Sequence, residues 1–127
     1  MTTRSIGYAD FESTVRDNDI VLVDFWASWC GPCRAFAPIF ERSAASHPEI
    51  VHAKVDTEQE HELAALMDIR SIPTIAAFRE GVLAFSQPGV LPPAALEDLI
   101  SQVAALDMGK VRATIAARKT TSSATAN

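Results

Sequence analysis

Cysteine is scarce in this sequence: only Cys30 and Cys33 occur among 127 residues. Long apolar runs are missing too. The longest, Ile20 to Trp29, is broken by Asp24 and is about half the ~20 residues that a membrane-spanning helix needs, so no membrane partner is expected. The first ten residues, MTTRSIGYAD, hold no apolar export segment, which makes the cytoplasm the expected location. In that reducing compartment a lone cysteine pair is more often catalytic or metal-binding than a permanent crosslink. Positive charge is in short supply as well. Residues 1–106 carry 7 Lys and Arg against 15 Asp and Glu, a net −8, and such an acidic body offers no general phosphate-binding surface. Nucleic acid is therefore not expected as a partner. The remainder, Asp107 with Lys110, Arg112, Arg118 and Lys119, sums to +3, too short and sparse to change this. Histidine is limited to His47, His52 and His61, at spacings of five and nine. A structural zinc site needs a second cysteine pair or two closely spaced histidines beside the first pair, so no metal is expected, and each histidine reads as a surface or half-buried residue.

What is present suits one globular domain with a proper core: 48% of residues are hydrophobic and 21% charged, and no internal repeat is seen. Ile20 to Ala27 is a β-branched and aromatic run that reads as a strand buried on both faces. It leads straight to the cysteines. Past Pro32, a proline suited to a first helical turn, Phe36, Ile39 and Phe40 share one helical face, so the cysteines lie at a strand-to-helix corner. Pro38 falls inside that helix and must kink it. Ile50 to Val55 reads as a strand, Glu58 to Met67 as a helix with Leu63 and Leu66 inward, and Thr74 to Phe78 as a strand. Arg79-Glu80-Gly81 is a tight-turn signal before a further strand, Val82 to Ser86. Pro92 and Pro93 open a last helix striped by Leu96, Leu99, Ile100, Val103 and Leu106. Phe11 and Val15 mark a short early helix ended by Asn18 and Asp19. The order predicts an α/β fold, a three-layer α/β/α sandwich around a mixed sheet, spanning residues 1–106. Residues 107–127 read as a largely disordered extension, with a short helix around Val111 and Ile115 as the structured option.

A staple four residues long would stabilise the fold by roughly 2 kcal/mol, against about 3 for a fifteen-residue loop, and would anchor nothing distant. Thiol exchange explains the placement better. At a helix start, free backbone N–H groups and the positive end of the helix dipole favour an anion, so the Cys30 thiol should be lowered toward neutrality. Cys33, one turn inside on the same face, should be more buried and more protonated. Cys30 then attacks a substrate disulfide, and Cys33 resolves the mixed disulfide. Asp24, among Val21, Leu22, Val23, Phe25 and Trp26, is an acid whose burial should raise its pKa, and it reads as a functional group in preference to a strand-end acid facing water. Pro73, before the strand TIAAF, must sit at that strand's beginning, and a trans bond is the base expectation. Trp29 reads as a flat apolar cover beside the site, and Trp26 as more deeply packed.

With Trp29 to Cys33 reading WCGPC after Val23 to Ala27, VDFWA, the chain resembles the thioredoxin family. The likeness runs over about residues 5–106 through Pro38, Lys54, Asp56, Ser71-Ile72-Pro73-Thr74, Gly81 and Gly89. It implies the thioredoxin fold and a protein disulfide reductase with Cys30, Cys33, Asp24 and Lys54 as catalytic residues, Asp24 helping to deprotonate Cys33. It implies a cis-proline loop at Ile72-Pro73 and a client-binding surface of Trp29, Gly31, Pro32, Ile72, Pro73, Gly89 and Val90. Ser71 replaces the glycine common before this isoleucine. No bound cofactor is implied; electrons would come from NADPH through thioredoxin reductase, and disulfide-containing proteins would be the clients of a monomer. Gly31-Pro32 between the cysteines matches the family's reductants, whereas its oxidants and isomerases usually carry histidine there. Two rival readings remain: a dedicated thioredoxin-like reductase with its own electron donor, and a redox-independent binding module using the apolar rim of Trp29, Ile72 and Val90.

Overall fold

The computed structural model describes residues 3–126, with side chains described as far as Lys119. Ten elements follow in order: β1 (Thr3–Ser5), α1 (Tyr8–Asp17), β2 (Ile20–Trp26), α2 (Gly31–Ser46), β3 (Val51–Asp56), α3 (His61–Leu66), β4 (Thr74–Arg79), β5 (Val82–Pro88), α4 (Pro93–Ala104) and α5 (Met108–Ala126). The strands form one mixed sheet in the order β1-β3-β2-β4-β5. Strand β3 runs parallel to both β1 and β2, while β4 is antiparallel to β2 and β5. The central strand β2 carries Val21, Leu22, Val23, Asp24 and Phe25, all without exposure, as expected of a strand covered on both faces.

Period-two alternation divides the core into two layers. On one face Leu22, Ile75 and Ala77 meet Phe36 and Phe40 of α2 and Leu96, Leu99, Ile100 and Val103 of α4. On the other, Val21, Val23, Phe25, Ala53, Val55 and Phe78 meet Val15 of α1 and Leu63 of α3. The three-layer thioredoxin-type sandwich expected from the sequence is therefore present. The β4–β5 hairpin turns through Glu80 and Gly81, at φ 51° and 82°, the pair of left-handed residues that a two-residue hairpin loop demands.

The structure departs from the expectations at five points. Strand β1 was not anticipated, because three mostly polar edge residues, Thr3–Ser5, carry no strand pattern. Helix α3 begins at His61, not Glu58, because the Thr57 N–H and hydroxyl both donate to the Trp26 carbonyl (2.9 and 3.0 Å) and Asp56 accepts from the Glu58 N–H (2.9 Å). In so short a helix only Leu63 reaches the core, and Leu66, expected inward, is 69% exposed. His52 is 1% exposed, not half-buried or at the surface; its ring bonds the Ser43 hydroxyl (2.9 Å) and the Ile50 carbonyl (3.0 Å). Where the sequence suggested a largely disordered extension, the structure has helix α5, over a stretch (RATIAARK) rich in helix-forming Ala, Arg and Lys. Its first turn is attached to the body through buried Met108 and an Arg112–Glu80 ion pair (2.8 Å).

Candidate active site

The chain leaves β2 at Trp26, crosses Ala27, Ser28 and Trp29, and enters α2 with Cys30 as its N-cap and Pro32 in the first turn. Cys30 and Cys33 form a disulfide, their Cα atoms 5.2 Å apart. The Cys33 N–H points at the Cys30 sulfur at 3.1 Å, so a free donor of the helix start is spent on that sulfur. A negative charge on Cys30 would strengthen this contact and gain from the helix dipole. The expectation that Cys33 is the more buried of the two is not met: each cysteine is 3% exposed. What differs is the direction of that small exposure. Cys30 borders an open groove of about 510 Å³ and Cys33 does not, since it lies one turn inside on the buried face shared with Phe36 and Phe40.

That groove brings together Trp29, Cys30, Gly31, Pro32 and Ile72 of the expected surface. Trp29 is 65% exposed, a flat apolar wall beside the sulfur. The Ile72–Pro73 peptide is cis, and the Ile72 carbonyl oxygen lies 3.7 Å from the Cys30 sulfur. Pro73 itself is packed in the interior, below the surface it shapes. Its carbonyl accepts from the Gly89 N–H at 2.8 Å, and Gly89, at φ 104°, needs the freedom of glycine. Gly89 and exposed Val90 thus stand beside the proline loop, outside the groove itself. Ser71 accepts from the Thr74 hydroxyl at 2.6 Å, which ties the loop to the start of β4.

Sequence reasoning missed Thr57, Ile69 and Arg70 as groove residues, and Arg34, whose guanidinium donates to the Ser28 carbonyl at 2.9 Å and so braces the loop before Cys30. Only the adjacency of Arg70 to the Ser71-Ile72 loop could have signalled any of them.

On the sheet face that α2 covers, Asp24 is wholly buried, and neither carboxylate oxygen has a hydrogen-bond partner among the described residues. Burial is the main cause that pushes its pKa up from 3.8 to about 7, and the positive charge of Lys54 works in the opposite direction. Lys54 is the register partner of Asp24 across the parallel ladder. Its ammonium nonetheless sits over the Trp26 ring, 4.9 Å from the centroid. Trp26 is half-buried, more deeply packed than the exposed Trp29, as expected. Among the described residues no three His, Cys, Asp or Glu side chains gather as a metal site, and no helix is long and apolar enough to cross a membrane.

The sequence pattern that defines the family described as Thioredoxin matches residues 2–102. The chain belongs to the thioredoxin family. A Streptomyces coelicolor protein bearing a thioredoxin name is 52% identical over 107 residues, covering 84% of this chain and 80% of its own. The thioredoxin of Haemophilus influenzae is 42% identical over 101 residues, 76% of this chain and 92% of its own. Among solved structures, a mutant thioredoxin from Halobacterium salinarum superposes with a TM-score of 0.76 at 32% identity, over 83% of this chain and 92% of that one. Thioredoxins are protein disulfide oxidoreductases, and the pair that performs dithiol–disulfide exchange in them is present here as Cys30 and Cys33. They generally need no bound cofactor.

Proposed function

We propose that this thioredoxin reduces protein disulfides with Cys30 as nucleophile and Cys33 as resolving thiol. The observation that carries the reading is the Cys33 N–H aimed at the Cys30 sulfur on the groove side of a helix start. The Cys30 thiolate attacks one sulfur of a client disulfide, a mixed disulfide forms, and the other client sulfur leaves as a thiolate that takes up a proton. Asp24 then accepts the Cys33 proton, and Cys33 attacks the Cys30 sulfur. The second client thiolate departs, two electrons have passed to the client, and the Cys30–Cys33 disulfide remains. Lys54 adjusts the charge at Asp24. Trp29, Gly31, Pro32 and Ile72 hold the client strand, with Gly89 and Val90 forming its other edge above the buried Pro73 that shapes the loop.

The family resemblance supports recycling by NADPH through thioredoxin reductase, disulfide-containing proteins as clients, a monomeric cytoplasmic protein, and a working unit of residues 1–106. Turnover of insulin disulfide with NADPH and a generic thioredoxin reductase tests the recycling step. Near silence there would point instead to a dedicated electron donor. Trapping tests the cysteine roles: Cys33→Ser should accumulate a covalent client adduct on Cys30, and Cys30→Ser should accumulate none. The reverse pattern would exchange the roles.

A further inference from the structure

Three residues share the face of the sheet that α2 covers. Asp24 and Trp26 are two apart on β2, and Lys54 lies directly across from Asp24 on β3. Adjacent strands are about 4.8 Å apart, and a lysine stem is long enough to set its ammonium on the neighbouring carboxylate. It does not do so. The ammonium lies 4.9 Å from the Trp26 ring centroid, and both Asp24 oxygens are left without a hydrogen-bond partner among the described residues. We propose that Trp26 is a positioning residue for the resolving step: its ring face holds the Lys54 ammonium off Asp24, so the buried carboxyl stays free to take and release a proton.

The chemistry of the two contacts supports this arrangement. An ammonium over an indole face is a favourable contact that grows as water is excluded, and tryptophan provides the strongest face of the three aromatic side chains. A direct ion pair in the interior must overcome the desolvation of both charges, and once formed it fixes the carboxylate in its ionised state. The other groups around Asp24 do not take over the role of Lys54. Along the same face of β3, His52 is engaged by Ser43 and Ile50, and Asp56 accepts from the Glu58 N–H. On β4 the register partner is Ile75, which has no charge. Helix α2 contributes Cys33, with Cys30 at its cap, and α4 packs apolar Leu96, Leu99, Ile100 and Val103 against this layer.

The inference rests on the proposed role of Asp24 as proton acceptor, and its test keeps the two apart. NMR titration of the Asp24 carboxyl in the dithiol protein reads the positioning directly. In Trp26→Leu, Lys54 should reach Asp24 and move its titration at least one pH unit lower, a tenfold loss in proton affinity. Trp26→Phe, which keeps a weaker ring face, should move it the same way by less. Adding Lys54→Met to Trp26→Leu should cancel the downward shift. An Asp24 titration that stays in place or moves higher in Trp26→Leu would overturn the proposal. A second readout needs no variant: in the unsubstituted protein the Lys54 side-chain methylene protons nearest the ammonium should resonate upfield through the indole ring current, and ordinary lysine shifts would also overturn it. If Asp24 moves as expected while the rate of mixed-disulfide release keeps its pH profile, the positioning stands and the proton-acceptor role of Asp24 falls.

Discussion

Asp24 and His52 face the same layer of the core, and their protonation acts on stability in opposite directions. Asp24, with its pKa raised from 3.8 to about 7, is held neutral in the folded chain over a range where the unfolded chain is ionised. The folded state binds the extra proton, so stability falls as pH rises from about 4 to about 7, and the full cost, roughly 4 kcal/mol, is present above that range. Asp24→Asn should therefore stabilise the protein, and by roughly 2–3 kcal/mol more at pH 8 than at pH 5, as read by denaturant unfolding at the two pH values. An equal gain at both would mean that the acid is not held neutral. The same variant should slow release of the mixed disulfide near neutral pH. His52 has the opposite sign: burial lowers its pKa below 6.5, the folded chain favours the neutral ring, and stability is lost as pH falls through 6.5. Acidification should thus still weaken Asp24→Asn. The two residues also differ in how readable they were. An acid with apolar neighbours on both sides announces its burial, and the sequence showed Asp24 plainly. The partner that makes His52 tolerable in the core, Ser43, sits on a different element and leaves no local pattern.

Among the elements, the strand-to-helix corner was legible because its parts are contiguous: an apolar strand, two cysteines and a helix-starting proline. Interactions between distant elements were not. Arg79, at the end of β4, donates to the Val103 and Ala104 carbonyls (2.8 and 3.0 Å) and to Asp19 (2.9 Å). It thereby adds a charged donor to the last carbonyls of α4 and sets a positive charge at the negative end of that helix. Nothing in the turn sequence Arg79-Glu80-Gly81 indicates this. Arg79→Ala should lower the unfolding free energy by about 2 kcal/mol, because two carbonyls and one carboxylate lose a charged donor. Arg79→Lys should recover only part of it, because a single ammonium cannot hold Asp19 with one nitrogen while another, as Nη1 does here, serves the two carbonyls. A loss within about 0.5 kcal/mol would show that water serves that helix end equally well.

For the molecule as a whole, the alternation of helices and strands followed by a hairpin made the sandwich readable, and the family match over residues 2–102 agrees with it. The tail was the hardest part to read, because its helix follows from propensity over alanine and long polar residues, with no apolar stripe to mark a docked face. Its link to the body is narrow: buried Met108, half-buried Val111 and the pair of exposed Arg112 with half-buried Glu80, which contributes little. Removing residues 107–127 should leave insulin reduction unchanged and lower stability by about 1–2 kcal/mol, mainly through loss of Met108 burial. A severalfold loss of activity would assign the tail a part in client or reductase docking.

Thiol titration of the reduced protein, by the pH dependence of alkylation at each cysteine, bears most directly on the chemistry. Cys30 should react as a thiolate well below the pH of about 8.5 at which a free cysteine ionises, and Cys33 should ionise above it. Two cysteines reacting alike, both near that ordinary value, would contradict the assignment of nucleophile and resolving thiol.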